Sequence, residues 1–140
     1  MMKKILMMLV VAALMIGCQT TKSANLTAVE LYGKYNLVNF DNEVVATSDR
    51  PMTIDFEPGV EGKLKVHGIL CNTFIGQAEL NQGKLSSDGL ASTRMACFRE
   101  KEALMETALG DMFKTGATVK LKGTQLILEG GGHTFTYQKQ

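Results

Sequence analysis

Along residues 35–137 apolar side chains recur at every second position in short runs, and each run ends in turn residues. A two-residue period admits strands and excludes long helices over most of that length. Tyr35, Leu37 and Phe40 lead into Asp41-Asn42, with Val44-Val45-Ala46 as the returning strand. Beyond Asp49-Arg50-Pro51, Thr53-Ile54-Asp55-Phe56 alternates as a half-buried strand does. Pro58-Gly59 marks a turn, after which Leu64, Val66 and Gly68 alternate with Lys63, Lys65 and His67. Asn81-Gln82-Gly83 reads as another hairpin turn. The closing segment pairs Val119 and Leu121 with Leu126 and Leu128, then turns at Gly130-Gly131-Gly132 into Phe135 and Tyr137.

Two segments break this rhythm. Thr27 and Glu30 have capping-box spacing, Leu26 and Leu31 can form the flanking staple, and Gly33 suits a left-handed stop, so a short helix is expected over residues 28–32. Across residues 99–114, Leu104, Met105, Ala108, Leu109, Met112 and Phe113 fall on one stripe, with Glu100, Lys101, Glu102 and Glu106 elsewhere. Early acids, late Lys114 and the terminator Gly116 complete the helix signal. This helix is expected to lie across a sheet and complete its core.

The N-terminus addresses location. Lys3 and Lys4 precede an apolar run over residues 5–16 that stops at Gly17-Cys18. The run is short for a transmembrane helix and has the form of a secretory signal. A cysteine after Met15-Ile16-Gly17 resembles a bacterial lipobox, so Cys18 is expected to carry covalent lipid, an anchor of several acyl chains. A signal peptide cut elsewhere would leave Cys18 an ordinary thiol. The reading divides the chain into a signal peptide (1–17), a lipidated tether (18–25) and one domain (26–140). In a Gram-negative cell, Gln19 favours the periplasmic face of the outer membrane.

Cleavage takes the 15 basic side chains to 13, against 14 acidic ones. That balance leaves no electrostatic footprint for nucleic acid and no basic second anchor. Lys63, Lys65, Lys120 and Lys122 alternate along strands and read as a solvated sheet face.

Export places Cys71 and Cys97 in an oxidising compartment, where one structural disulfide is expected. Free or redox-active thiols, or a zinc site recruiting His67, are the alternatives. Cys-x-x-Cys spacing is absent, and no fourth zinc ligand is evident.

Around these cysteines, residues 68–76 (Gly-Ile-Leu-Cys-Asn-Thr-Phe-Ile-Gly) and 90–97 (Leu-Ala-Ser-Thr-Arg-Met-Ala-Cys) resemble the META domain, in particular its HslJ-like heat-shock lipoproteins. The likeness covers residues 26–137, with Tyr35 where many members carry tryptophan and Leu70 where many carry glycine. It implies a single small α+β domain, with a curved antiparallel sheet packed on one main helix. It also implies association with heat stress and novobiocin resistance, but it offers no catalytic residue to carry over. Asn72, Phe74, Gly76, Thr93, Arg94 and Met95 are the motif residues. They are expected to be mainly structural, with Arg94 open to an anionic partner.

The remaining candidates for chemistry point elsewhere. Ser86-Ser87-Asp88 lacks a nucleophile elbow. His67 and His133 read as solvated imidazoles, and Asp55 and Glu57 share an exposed strand face. The triple glycine precedes no helix that could receive a phosphate. The expectation is a protein that is not an enzyme, with no metal and no cofactor beyond the lipid. Its expected partners are the membrane and an envelope protein or component; a small apolar ligand held inside the sheet is the alternative.

Overall fold

A computed structural model describes residues 20–46 and 50–140. The expected signal peptide and Cys18 lie outside the described residues. In chain order the elements are β1 (Thr21–Lys22), α1 (Ala28–Leu31), β2 (Gly33–Phe40), β3 (Glu43–Val44), β4 (Thr53–Pro58) and β5 (Leu64–Ile69). There follow β6 (Thr73–Asn81), β7 (Lys84–Ser86), β8 (Ala91–Ser92), α2 (Glu100–Thr115), β9 (Ala117–Lys122), β10 (Gln125–Gly130) and β11 (His133–Lys139).

The sheet closes on itself. Each of β2, β4, β5, β6, β7, β9, β10 and β11 pairs antiparallel with the next, and β11 returns to β2 through Phe135 opposite Phe40. The result is an eight-stranded barrel, with β1, β3 and β8 as short additions on β9, β2 and β6. This corrects the α+β expectation of a curved sheet packed on a helix. The deciding contact is β7 on β9, Lys84 opposite Thr118 and Leu85 opposite Ala117, which brings together strands separated in sequence by the whole of α2. Closure removes the unpaired edges that an open sheet would leave.

The helix caps a mouth of the barrel instead of lying on a sheet face. Because β7 ends and β9 begins at the same mouth, α2 must cross it. Each turn there touches the helix: Lys101 pairs with Glu43, the backbone N–H of Asn72 donates to the Glu106 carboxylate, and Ser87 N–H donates to the carbonyl of Phe113 at 2.8 Å. A Cβ on Gly130 would lie 2.9 Å from Met112 Cγ. The buried stripe of α2 is Met105, Ala108, Leu109, Met112 and Phe113, five of the six apolar positions read from the sequence. Leu104, the sixth, is exposed.

The opposite mouth is closed by α1. Glu30 accepts from the Thr27 backbone N–H at 2.9 Å, as the capping-box spacing requires, and Leu26 and Leu31 are buried. The Tyr35 hydroxyl donates to the Leu31 carbonyl at 2.9 Å, tying the helix to the interior.

Between these plugs the barrel axis is filled by side chains. Tyr35, Phe56, Phe135 and Tyr137 are fully buried, with Phe135 and Tyr137 ring centroids 6.3 Å apart and Tyr35 edge-on to Phe56 at 6.2 Å. Eight strands enclose a space that such rings fill. A ligand held along the axis, as the carrier alternative required, would have to displace these rings.

Within the segment read as a tether, residues 21–23 are bound to the barrel. β7 covers only the first two residues of β9, and β1 takes the other end of that edge, Thr21 opposite Lys122 and Lys22 opposite Leu121. The Ser23 hydroxyl donates to the Val119 carbonyl at 2.8 Å, and Lys22 pairs with Glu30 at 2.6 Å.

Candidate functional site

The family-like residues converge at the mouth capped by α2. Cys71 and Cys97 are joined as a disulfide, with Cα atoms 6.0 Å apart. With the sulfurs bonded, neither offers a thiolate to a metal, although Glu106 lies beside them. His67, the other zinc candidate, instead faces Asp55 across β4 and β5 at 3.9 Å.

Asn72, one residue after Cys71, is buried and organises the loop before α2. Its Oδ1 accepts from Met95 N–H at 2.7 Å and from the Thr93 hydroxyl at 3.1 Å, while Nδ2 donates to the Met95 carbonyl at 3.3 Å. Thr93 also exchanges hydrogen bonds with Thr73: its backbone N–H donates to the Thr73 carbonyl at 3.0 Å, and its hydroxyl accepts from Thr73 N–H at 3.1 Å. Asparagine suits this position because its amide offers donor and acceptor together. Gly76 is glycine for space: a Cβ there would sit 2.8 Å from Leu90 Cδ2 and 3.1 Å from the Gly89 carbonyl. Phe74 fills the space above Gly68, where a Cβ would meet the ring at 2.5 Å and the Thr53 carbonyl at 2.3 Å.

Structural duty therefore accounts for Asn72, Phe74, Gly76, Thr93 and the backbone of Met95. It does not account for what the loop holds outward. Arg94 is exposed, and among the described residues its guanidinium has no hydrogen-bond or ion-pair partner. The Met95 side chain is 52% exposed and Phe98 is 95% exposed. Leu104 of α2 and Val44 of β3 add exposed apolar surface at this same mouth. A stapled loop presenting an aromatic ring and a free guanidinium has the composition of a binding anchor, because its ordering entropy is already spent. Phe98 carried no periodic signal, and only its place between a disulfide cysteine and a helix start marks it.

Other sequence candidates resolve into structure. Ser87 is buried, its hydroxyl donating to the Gln77 carbonyl at 2.6 Å. His133 is not a lone solvated imidazole. Its Nδ1 lies 2.7 Å from Asp41 Oδ2, and its ring stacks on Phe40 at 5.3 Å. Burial pushes the Asp41 carboxyl up, but the hydrogen bonds from His133 and from Thr134 N–H outweigh it and hold the acid below its ordinary range. Glu57 is likewise held low by its hydrogen bond from Lys65, the residue opposite it on β5. Lys63 pairs with Glu79 and Lys120 with Glu129, so those lysines complete cross-strand ion pairs.

A groove of about 340 Å³, open to solvent, runs beside β2 and is lined by Asn36 together with Leu37, Val38, Val45, Ala46, Pro51 and Met52. Its wall is predominantly apolar.

The META domain family model matches residues 24–140, nearly all of the described chain. The chain belongs to this family. The heat shock protein HslJ of Escherichia coli (strain K12) is 30% identical over 138 residues, spanning 98% of this chain and 96% of that protein. An NMR structure of a protein 30% identical aligns with a TM-score of 0.71, covering 81% of this chain and 95% of that one. A second NMR structure, of a protein from Burkholderia xenovorans, is 23% identical with a TM-score of 0.59 over 81% of this chain and 86% of that one, and it supports the fold alone. In this META domain the turn between β5 and β6 and the 90–97 segment are joined by the Cys71–Cys97 bridge.

Proposed function

We propose that this META domain protein is an exported, lipid-anchored envelope component without a catalytic role. It would support heat-stress tolerance by docking a partner protein or envelope component on residues 94–98. The observation that carries the reading is Phe98, 95% exposed on a loop fixed by the Cys71–Cys97 bridge and by Asn72. Similarity to a protein named for heat shock supplies the stress context. Residues 1–18 supply the route: a basic start, an apolar run and a lipobox-like Cys18, giving the periplasmic face of the outer membrane in a Gram-negative cell. The test is heat survival of cells whose only copy is Arg94→Ala/Phe98→Ala. Both side chains are exposed, so the variant should keep its thermal midpoint while losing protection. Full protection by a normally folded variant would remove this loop from the function.

The open groove beside Val45 and Met52 favours a second reading, in which a small apolar compound such as novobiocin is sequestered at the surface. A ligand-dependent rise in melting temperature, abolished by Met52→Lys, would favour it over partner docking.

A further inference from the structure

We propose that the barrel sits directly on the lipid surface by the mouth that α1 plugs, leaving the mouth capped by α2 facing away from the bilayer. This orientation rests on lipidation of Cys18. The carrying observation is how short the chain is before it becomes part of the barrel. Thr21 is paired with Lys122 at the very end of β9, and only three residue steps separate it from Cys18. An extended chain spans at most about 3.5 Å per residue, so the Cα of the lipid-bearing cysteine is held within roughly 10 Å of that strand end.

The direction is set as well as the distance. β9 runs from the α2 mouth toward the α1 mouth, and β1 is antiparallel to it, so the chain before Thr21 leaves past Lys122 and out of the α1 mouth. The acyl chains then draw this end of the barrel to the headgroups. What it offers them is suitable. Lys122 closes β9, Lys139 closes β11, Lys34 is the second residue of β2 and Lys22 belongs to β1. Lys122 and Lys34 have no acidic partner among the described residues. These strand ends are contiguous: Lys139 donates to the Tyr32 carbonyl at 3.1 Å, and Gln140 N–H donates to the Lys34 carbonyl at 2.9 Å. On α1 itself, Val29 is 69% exposed beside Glu30, whose carboxylate is taken up by Lys22. These lysines outnumber the exposed Glu61 of the β4–β5 turn at the same mouth, and lysines around a projecting apolar side chain fit an anionic headgroup layer. The six-residue strands then lift residues 94–98 about 20 Å from the lipid surface.

The test is lysine acylation by a membrane-impermeant reagent, read by peptide mass spectrometry. It uses the full lipidated protein in vesicles of phosphatidylethanolamine and phosphatidylglycerol. Lys34 and Lys122, both exposed and without an acidic partner among the described residues, should label at least about three-fold more slowly than the exposed Lys114 at the far mouth. A roughly 20-residue glycine–serine insertion before Thr20, spanning about 25 Å, should abolish that contrast. Equal labelling at both mouths in lipidated protein, or a contrast that survives the insertion, overturns the orientation alone. An intact mass lacking the lipid overturns the anchor and the orientation with it.

Discussion

Removing the two staples of the 93–97 loop, singly and together, measures whether they hold one object. The Cys71–Cys97 bridge closes 26 residues, so Cys71→Ala/Cys97→Ala should cost about 3.5 kcal/mol in the chain-entropy picture. Asn72→Ala removes four side-chain hydrogen bonds, to Thr93 Oγ1, Met95 N, Met95 O and, weakly, Cys97 Sγ. At about 0.5–1.5 kcal/mol each, with water able to reach the exposed Met95 region, the loss is about 2–3 kcal/mol. Both staples join the turn at residues 71–72 to the same 93–97 segment. Once the bridge is gone the loop detaches, and the bonds to Asn72 are partly lost already. The triple variant should therefore fall short of the sum by about 1 kcal/mol or more. Urea unfolding of the four purified proteins, followed by far-ultraviolet circular dichroism, gives the cycle. Costs that add within about 0.5 kcal/mol would mean that bridge and amide hold separate parts, and the rigid loop would lose its basis.

Three further outcomes follow from other contacts. The Tyr137 hydroxyl is buried with no hydrogen-bond partner among the described residues, whereas Tyr35 donates to Leu31. Tyr137→Phe should therefore leave stability unchanged or raise it by up to about 1 kcal/mol, and Tyr35→Phe should lower it by about 1 kcal/mol; thermal melts that reverse this order would contradict the assigned partners. The hydrogen bond from Lys22, then those from Thr27, hold the Glu30 carboxyl down at about 2, below an ordinary 4.5. Because the folded value is the lower one, the stability it contributes is complete above about pH 4.5 and drains away as the pH falls toward 2. Glu30→Gln should flatten stability in that window, and an unaltered acid limb would show that the clamp between β1 and α1 does not form. Gly68→Ala places a Cβ against the Thr53 carbonyl and the Phe74 ring, and it should destabilise by about 1–3 kcal/mol by denaturant titration.

Local features were legible in the sequence because local chemistry decides them. The stripe over residues 99–114 became α2 at Glu100–Thr115, and Asp41-Asn42 and Gln82-Gly83 sit at positive φ in hairpin turns. Leu64, Val66 and Gly68 point inward as their alternation required. Closure was not legible: an alternating strand looks the same in an open sheet and in a barrel, and the pairings that decide it join β7 to β9 and β11 to β2 across long stretches of chain. The same distance hid Asp41 from His133, 92 residues away, and β1 from β9. At the site, the order of Cys71, Asn72 and Cys97 marked a stapled loop, but periodicity said nothing of Phe98, whose meaning lies in where the staple points it.

That direction can be tested in living cells by placing a photoreactive phenylalanine derivative at position 98 and, as a control at the opposite mouth, at the exposed Val60. After heat stress and irradiation, position 98 should give one discrete covalent adduct and position 60 none of that mass. The same adduct from both positions, or from position 60 alone, would contradict docking through the stapled loop.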